Sequence, residues 1–174
     1  MIVVTGLPDR AGLRTTFGTF ATGITVVTVG GARPHGMTAN SFTTVSLDPA
    51  LVLVCVGHDA IMHEALAENG RFGVSILASG QEEIARHFAD NRRPLGSSQF
   101  DFVPWVPGPD SGAPLIDGAV AHYECELWRG YDGGDHTIFV GRLLSVRRCN
   151  EEDVLIYLRG RFRQLEQMPR DLVG

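Results

Sequence analysis

At 174 residues with a formal net charge of −5, the chain can bury about 70% of the surface its unfolded form exposes, and its acidity argues against nucleic acid as the main partner. A content of 44% hydrophobic and 20% charged residues is that of an ordinary globular protein rather than a disordered or fibrous one. All fifteen basic residues are arginine, which excludes a lysine Schiff base and the lysine of a phosphate-binding P-loop.

Arg10–Ala21 places Leu13, Phe17 and Phe20 at helical spacing, predicting a short amphipathic helix. Ile24–Val29 is dense in β-branched residues and predicts a buried strand. A Gly30–Pro34 turn leads into a second strand and the stretch HGMTANSFTTVSLDPALVLVCV, His35–Val56. Within it, Ser41–Leu47 alternates as a strand, Asp48-Pro49 turns, and Leu51–Val56 is an unbroken apolar run, predicted as the most buried strand. Asp59 can cap a helix carrying Ile61, Ala65 and Leu66, stopped by Gly70. Phe72–Leu77 is a further strand. Ser79 with Glu82 makes a capping box for a helix through Ala89, with Ile84 and Phe88 inward and Glu82 and Arg86 paired.

Asn91–Asp117 is rich in Gly, Pro and Ser and predicts a long surface excursion. Ala119–Arg129 alternates, with Ala121, Tyr123, Cys125 and Leu127 opposite His122, Glu124 and Glu126. Asp132-Gly133-Gly134-Asp135 is a hairpin turn into the strand His136–Arg147, and Val154–Leu158 is the last strand. Seven or eight strands with two or three intervening helices, without βαβ alternation, predict a mainly β fold. The expected architecture is an antiparallel barrel with flanking helices in a single domain, residues 1–174.

Several chemistries lack their residues. No GxGxxG follows a strand, no GxSxG elbow is present, and Ala67 stands where the second histidine of a zinc-protease motif would be. Cys55 and His58 have no second ligand pair, so no metal site is expected. The cysteines Cys55, Cys125 and Cys149 form no CxxC pair and fit reduced cytosolic thiols. Met1–Asp9 has no basic flank, and no apolar run reaches the ~20 residues of a membrane span. A cytoplasmic protein is therefore expected.

The positive signals have two readings each. Thr38, Asn40 and Ser41 could hydrogen-bond a heterocycle edge or satisfy backbone groups at a strand bend. His136 could meet a substrate at a barrel mouth or be a solvated strand-edge residue. Arg159, Arg161 and Arg163 would share one face of an extended segment, suited to a phosphate or to protecting an exposed edge.

The segments FATGITVVTV, HGMTANSFTTVSLDPALVLVCV and GDHTIFVGRL, in this order, resemble the flavin reductase-like family, from about Leu13 to about Leu165. These are reductase components of two-component flavin-dependent monooxygenases, built on the FMN-binding split barrel. The resemblance implies FMN or FAD, with NADH or NADPH as hydride donor, in a homodimer that passes reduced flavin to a separate monooxygenase. It assigns Thr38, Ala39, Asn40 and Ser41 to the isoalloxazine ring, and places Ser46, Cys55 and Val56 along the flavin. Arg86 and Phe88 match the helix flanking that site, and Tyr157 the C-terminal segment near it. His136, of the GDH motif, is the residue implied to meet the nicotinamide. Ala50 replaces a frequent second proline, and Leu158 and Phe162 stand where His and Tyr are often found. The same barrel also hosts pyridoxamine phosphate oxidases and flavin-binding proteins without turnover.

Overall fold

A computed structural model describes residues 6–165. The chain begins with helix α1 (Arg10–Phe17), followed by strands β1 (Thr22–Gly23), β2 (Thr25–Val29), β3 (His35–Ala39), β4 (Thr43–Leu47) and β5 (Ala50–Gly57). Helix α2 (Ile61–Asn69), strand β6 (Arg71–Ile76) and helix α3 (Glu82–Ala89) come next. A 3-10 turn (Gly96–Phe100) precedes β7 (Trp105–Pro107) and β8 (Pro114–Ile116). The long hairpin β9 (Ala121–Asp132) and β10 (His136–Arg148) follows, then β11 (Ile156–Leu158) and β12 (Arg161–Arg163).

Seven strands form one sheet in the order β3-β2-β6-β9-β10-β5-β4, every neighbouring pair antiparallel. A three-stranded sheet, β1-β11-β12, and the β7-β8 hairpin complete the described strands. The fold is thus mainly β, in antiparallel sheets with flanking helices. Among the described residues twelve strands stand where seven or eight were expected, because two- and three-residue strands are too short for alternation to show in sequence.

The β-branched run of β2 is buried at all five positions, so β2, not β5, is the most buried strand. Its alternate residues face different cores. Val27 and Val29 pack with Val52, Val54, Val56, Met62, Leu66 and Phe72, whereas Ile24 and Val26 pack with Leu77, Ala85, Phe88, Phe100 and Leu155. In β5 the apolar run conceals a true alternation: Val52, Val54 and Val56 point into the core, while Leu51, Leu53 and Cys55 are half-buried.

Helix ends depart from expectation. The residue before α2 is Ala60, without a side-chain cap, and the buried positions are Met62 and Leu66, while Ile61 is 52% exposed. Gly70 does end the helix in the left-handed conformation, φ 66°. At α3 the capping residue is Gln81 rather than Ser79, and its Oε1 accepts from Ala78 N at 3.0 Å. Ala85 and Phe88 are the buried positions, with Ile84 partly buried beside them, and the Glu82–Arg86 pair forms at 2.6 Å. None of α1 is buried, and Phe17 and Phe20 remain 70% and 76% exposed.

The excursion 91–117 is largely exposed, as expected, but a few buried residues fasten it to the sheet. Gln99, buried, accepts from Gly36 N (2.9 Å) and donates to Pro34 O (2.9 Å), pinning β3 from outside the sheet. Thr28 Oγ1 donates to Pro114 O (2.6 Å), and Ile116 N donates to Ser75 Oγ (3.0 Å). These bonds lay β8 over β2 and β6 and leave His122 and Glu124 buried on that face of β9. Pairing through side chains leaves no periodicity for sequence reading to detect.

At the start of β3, Gly36 meets Phe88: a Cβ there would lie 2.6 Å from Phe88 Cε1, on a ring only 1% exposed. Beside it, buried His35 has Nε2 3.4 Å from Arg93 Nη2. Burial first, and the Arg93 charge second, push its pKa down to about 4 from 6.5. The unfolded chain takes up this proton below 6.5 and the folded chain only near 4, so the native state is favoured fully above 6.5 and loses that advantage as pH falls towards 4. Urea unfolding midpoints should therefore fall from pH 7 to pH 5, and His35→Gln should flatten that slope. An equally steep slope in the variant would show that His35 does not carry it.

Candidate functional site

The site grows from a break in a ladder. Thr43 of β4 lies opposite Leu53 of β5, and the same register places Ser41 opposite Cys55. The backbone has left the sheet by then, since Asn40–Phe42 belong to neither β3 nor β4. Cys55 would lose its partners on that side. The Ser41 hydroxyl replaces them, accepting from Cys55 N at 3.1 Å and donating to Cys55 O at 2.9 Å. A corner of small residues is thereby fixed at the end of the sheet.

That corner lines two adjoining cavities. The larger, about 920 Å³, lies between the end of α1 and the β11–β12 hairpin and includes Arg14, Phe20, Thr22, Asn40, Ser41 and Arg159 in its walls. The smaller, about 510 Å³, lies towards α3 and includes Thr38, Asn40, Arg86, Tyr157 and Phe162. Asn40, Tyr157 and Gly160 border both, so the two form one groove. Asn40 is exposed, with no side-chain hydrogen bond among the described residues, and Thr22 Oγ1 is buried without a partner. Arg14 and Arg159 bring guanidinium groups to one arm, while Arg86 in the other stacks 4.9 Å from the Phe162 ring centroid. A wall of hydroxyl and amide groups, aromatic rings and arginines fits a flat heteroaromatic ligand with an anionic tail.

Thr38, Asn40, Ser41, Arg86 and Tyr157 are brought together in this groove. Thr38 Oγ1 already donates to Ala85 O at 2.7 Å, and Ala39 is buried, its carbonyl accepting from Thr25 Oγ1 at 3.0 Å. Cys55 stands behind Ser41, and burial raises its thiol pKa. The other three are not in the groove wall. Val56 and Phe88 are each 1% exposed and belong to the core. Ser46 pairs with Leu51, four residues along β5 from Cys55 and so roughly 13 Å away.

Arg14, Thr22 and Phe20 were missed, because an isolated hydroxyl or a helix-end arginine carries no sequence signal. Arg159 is not on the strand with Arg161 and Arg163. It occupies a turn at φ 52° and donates its backbone N–H to Gly18 O at 2.6 Å, joining the hairpin to the end of α1.

His136 opens β10 opposite Gly57, and Ile138 lies opposite Cys55. Two strand residues, roughly 7 Å, thus separate the histidine from the Ser41 corner along the ladder. Its Nδ1 lies 2.6 Å from Asp135 Oδ1, and Arg10 Nη2 donates to Asp135 Oδ2 at 3.0 Å. The His136 hydrogen bond first, and Arg10 second, hold the Asp135 carboxyl below its ordinary pKa. With Nδ1–H facing the carboxylate, Nε2 is left to accept. Gly57 adds no side chain beside the ring.

A family model described as flavin reductase like domain matches residues 17–166. A curated "NADH-dependent FAD reductase" of Streptomyces globisporus is 58% identical over 156 residues, 90% of this chain and 86% of that protein. An "NADH-dependent flavin reductase" of Rhodococcus sp is 39% identical over 91% of this chain and 88% of its own. Among solved structures, BorF, the flavin reductase component of a bacterial two-component tryptophan halogenase, superposes with a TM-score of 0.88 at 56% identity, covering 92% of this chain and 100% of that one. The NADH:FAD oxidoreductase SgcE6 of Streptomyces globisporus C-1027 superposes with a TM-score of 0.91 at 54% identity, covering 96% and 99%.

Ser41→Ala should leave the Cys55 N–H and C=O without their partner and lower unfolding free energy by about 1–3 kcal/mol. Urea titration of the ligand-free protein measures this, and an unchanged midpoint would remove Ser41 from its bridging role.

Proposed function

The chain belongs to the flavin reductase like domain family, and from that premise we propose that it reduces FAD with NADH in the groove between α1, the Ser41 corner and the β11–β12 hairpin. It is an NAD(P)H:flavin oxidoreductase that supplies reduced flavin to a monooxygenase partner. The preference for FAD and NADH is supported by the relatives at 54–58% identity, named NADH-dependent for FAD, against 36% for those named FMN reductases. One of these structures is described as a complex with NAD and FAD fragments.

The observation that carries the site is that the Ser41 corner and His136 flank the same end of β5, at Cys55 and Gly57, two residues apart along the strand. A flavin held in this groove would supply N5 as the acceptor for the nicotinamide C4 hydride. Asn40, Thr22 and the corner backbone offer hydrogen bonds to the polar ring edge, and Arg14 and Arg159 offer charge to phosphates. Arg86 and Tyr157 border the groove beyond Asn40. Small Ala39 and Gly36 keep the wall thin. His136 Nε2 is directed to accept from the nicotinamide carboxamide, and Asp135, itself held by Arg10, fixes the imidazole tautomer. Asp135 is a positioning residue. Val56, Cys55 and Phe88 shape the wall from behind.

Three further readings complete this proposal. The sheet closes as a split barrel: β3 and β4 are its two edges, roughly 29 Å apart in a flat sheet, yet the four residue steps from Ala39 to Thr43 reach only roughly 14 Å. The protein is a homodimer, for Val45 and Leu47 on the edge strand β4, the latter 97% exposed, need cover. The protein works in the cytoplasm as one domain, where its nicotinamide reductant is available; among the described residues no helix is long and apolar enough to cross a membrane.

Steady-state assays with all four flavin and nicotinamide pairs should give the highest kcat/KM with FAD and NADH; a higher value with FMN would overturn the flavin preference. His136→Ala should raise the KM for NADH roughly tenfold, and Asp135→Asn roughly fivefold, with the flavin KM little changed. Equal effects on both substrates would refute the assigned role. In sedimentation, the wild type should run as a dimer of the 18.9 kDa chain and Leu47→Glu as the monomer. A monomeric, fully active wild type would refute the dimer.

A further inference from the structure

A second group of reactive side chains lies where β10 ends, apart from the groove. Cys149 is exposed, and its backbone N–H donates to Val120 O at 2.8 Å. Its Sγ stands 3.3 Å from His122 Nδ1, and Arg147 Nη2 stands 3.3 Å from the same nitrogen. Sγ also lies 3.7 Å from Arg147 O. His122 is only 4% exposed, and its other nitrogen, Nε2, sits 2.7 Å from Ile116 O. A carbonyl can only accept, so Nε2 donates to it, and the Nδ1 lone pair is shared between the Arg147 N–H, which can only donate, and the Cys149 thiol. A nucleophile within reach of a base, and a base oriented by a third group, is the arrangement that activates a side chain for attack. The Arg147 guanidinium, held on the same Nδ1, brings positive charge to the cluster in which negative charge develops on sulfur. A cavity of about 290 Å³ bordered by His122, Ser145 and Arg147 adjoins the imidazole, and the exposed Cys149 thiol is reached directly from solvent.

We propose that Cys149 is a modification site, a thiol oxidised by hydrogen peroxide with His122 as its general base. The oxidant follows from the reductase reading, on which only its source rests: released reduced flavin and dioxygen give oxidised flavin and hydrogen peroxide. Sγ attacks one peroxide oxygen, forming the S–O bond as the O–O bond breaks. Sulfur loses two electrons and the peroxide gains them. The thiol proton passes to His122 Nδ1 and on to the departing hydroxide, which leaves as water. The product is a sulfenic acid at Cys149. Cys55 and Cys125 provide internal contrast. Burial raises the pKa of both thiols, that of Cys125 to about 12 with Glu124 adding to it, so neither offers a comparable nucleophile.

The test treats the full chain with added hydrogen peroxide, traps sulfenic acid with a cyclic dione and follows each cysteine peptide by mass spectrometry. Cys149 should be labelled first, at least roughly tenfold faster than in the same chain unfolded in urea. His122→Asn and the exposed-site variant Arg147→Gln should each slow labelling at least roughly fivefold. Cys149→Ser should lose the label and keep wild-type NADH and flavin turnover. First labelling at Cys55, a Cys149 rate equal to that of the unfolded chain, or an unchanged rate in Arg147→Gln would overturn the proposal. If the buried His122→Asn does not fold, Arg147→Gln decides. Because the peroxide is added, failure here leaves the reductase assay untouched, and loss of reductase activity leaves the thiol measurement intact.

Discussion

One hydroxyl stands in for a missing strand. Antiparallel pairing requires that the N–H and C=O of Cys55 find partners on the β4 side, and β4 begins too late to give them. Ser41 supplies both from a side chain, which frees its own backbone to turn. The chain can therefore pass from β3 to β4 in three residues without exposing the end of β5. Everything in the groove depends on this substitution of side chain for ladder, because Asn40, the residue bordering both cavities, hangs from the same turn. Without the bridge, the corner would be a flexible loop beside a fraying strand.

Behind the corner, rigidity comes from packing on both faces of the sheet. β2 serves two cores at once, so neither of its faces can relax without cost to the other. Gly36 lets the Phe88 ring press against the β3 backbone, and Gln99 holds that backbone from the far side. α3 is bonded to β3 through Thr38 and Ala85. A site that must hold two ring systems at close approach gains from such a wall, because misplacement by an ångström lowers the rate steeply.

Much of this was legible in sequence where periodicity is long. The hairpin of β9 and β10, the turn at Gly133 and Gly134 and the β-branched strand β2 are all announced by their residues. So were the polar types at Thr38, Asn40 and Ser41, though composition left open whether they bind a ligand or satisfy backbone. In the structure Ser41 and Thr38 bond backbone, and Asn40 borders the groove. Phe88 and Val56 matched the family pattern yet lie in the core, because matching a motif does not tell which face of an element a residue takes. The packing of 91–117 was hidden for another reason: Gln99, Thr28 and Ser75 hold it through single side-chain bonds scattered along the chain. Arg159 was misread because a positive φ in a non-glycine residue leaves no trace in alternation.

The bond from Arg159 N–H to Gly18 O has a meaning for protein engineering. The tip of the β11–β12 hairpin is fastened to the residue that ends α1, and its backbone adopts a left-handed conformation to make that contact. The hairpin is consequently not a portable module. A graft that imports another hairpin to alter ligand choice must also import a compatible helix end, with a small residue at position 18, where a Cβ would lie 3.1 Å from Arg14 O and 3.7 Å from the Arg159 Cα. Helix α1 with the segment after it, and the β11–β12 hairpin, form one unit of exchange although they stand at opposite ends of the described chain.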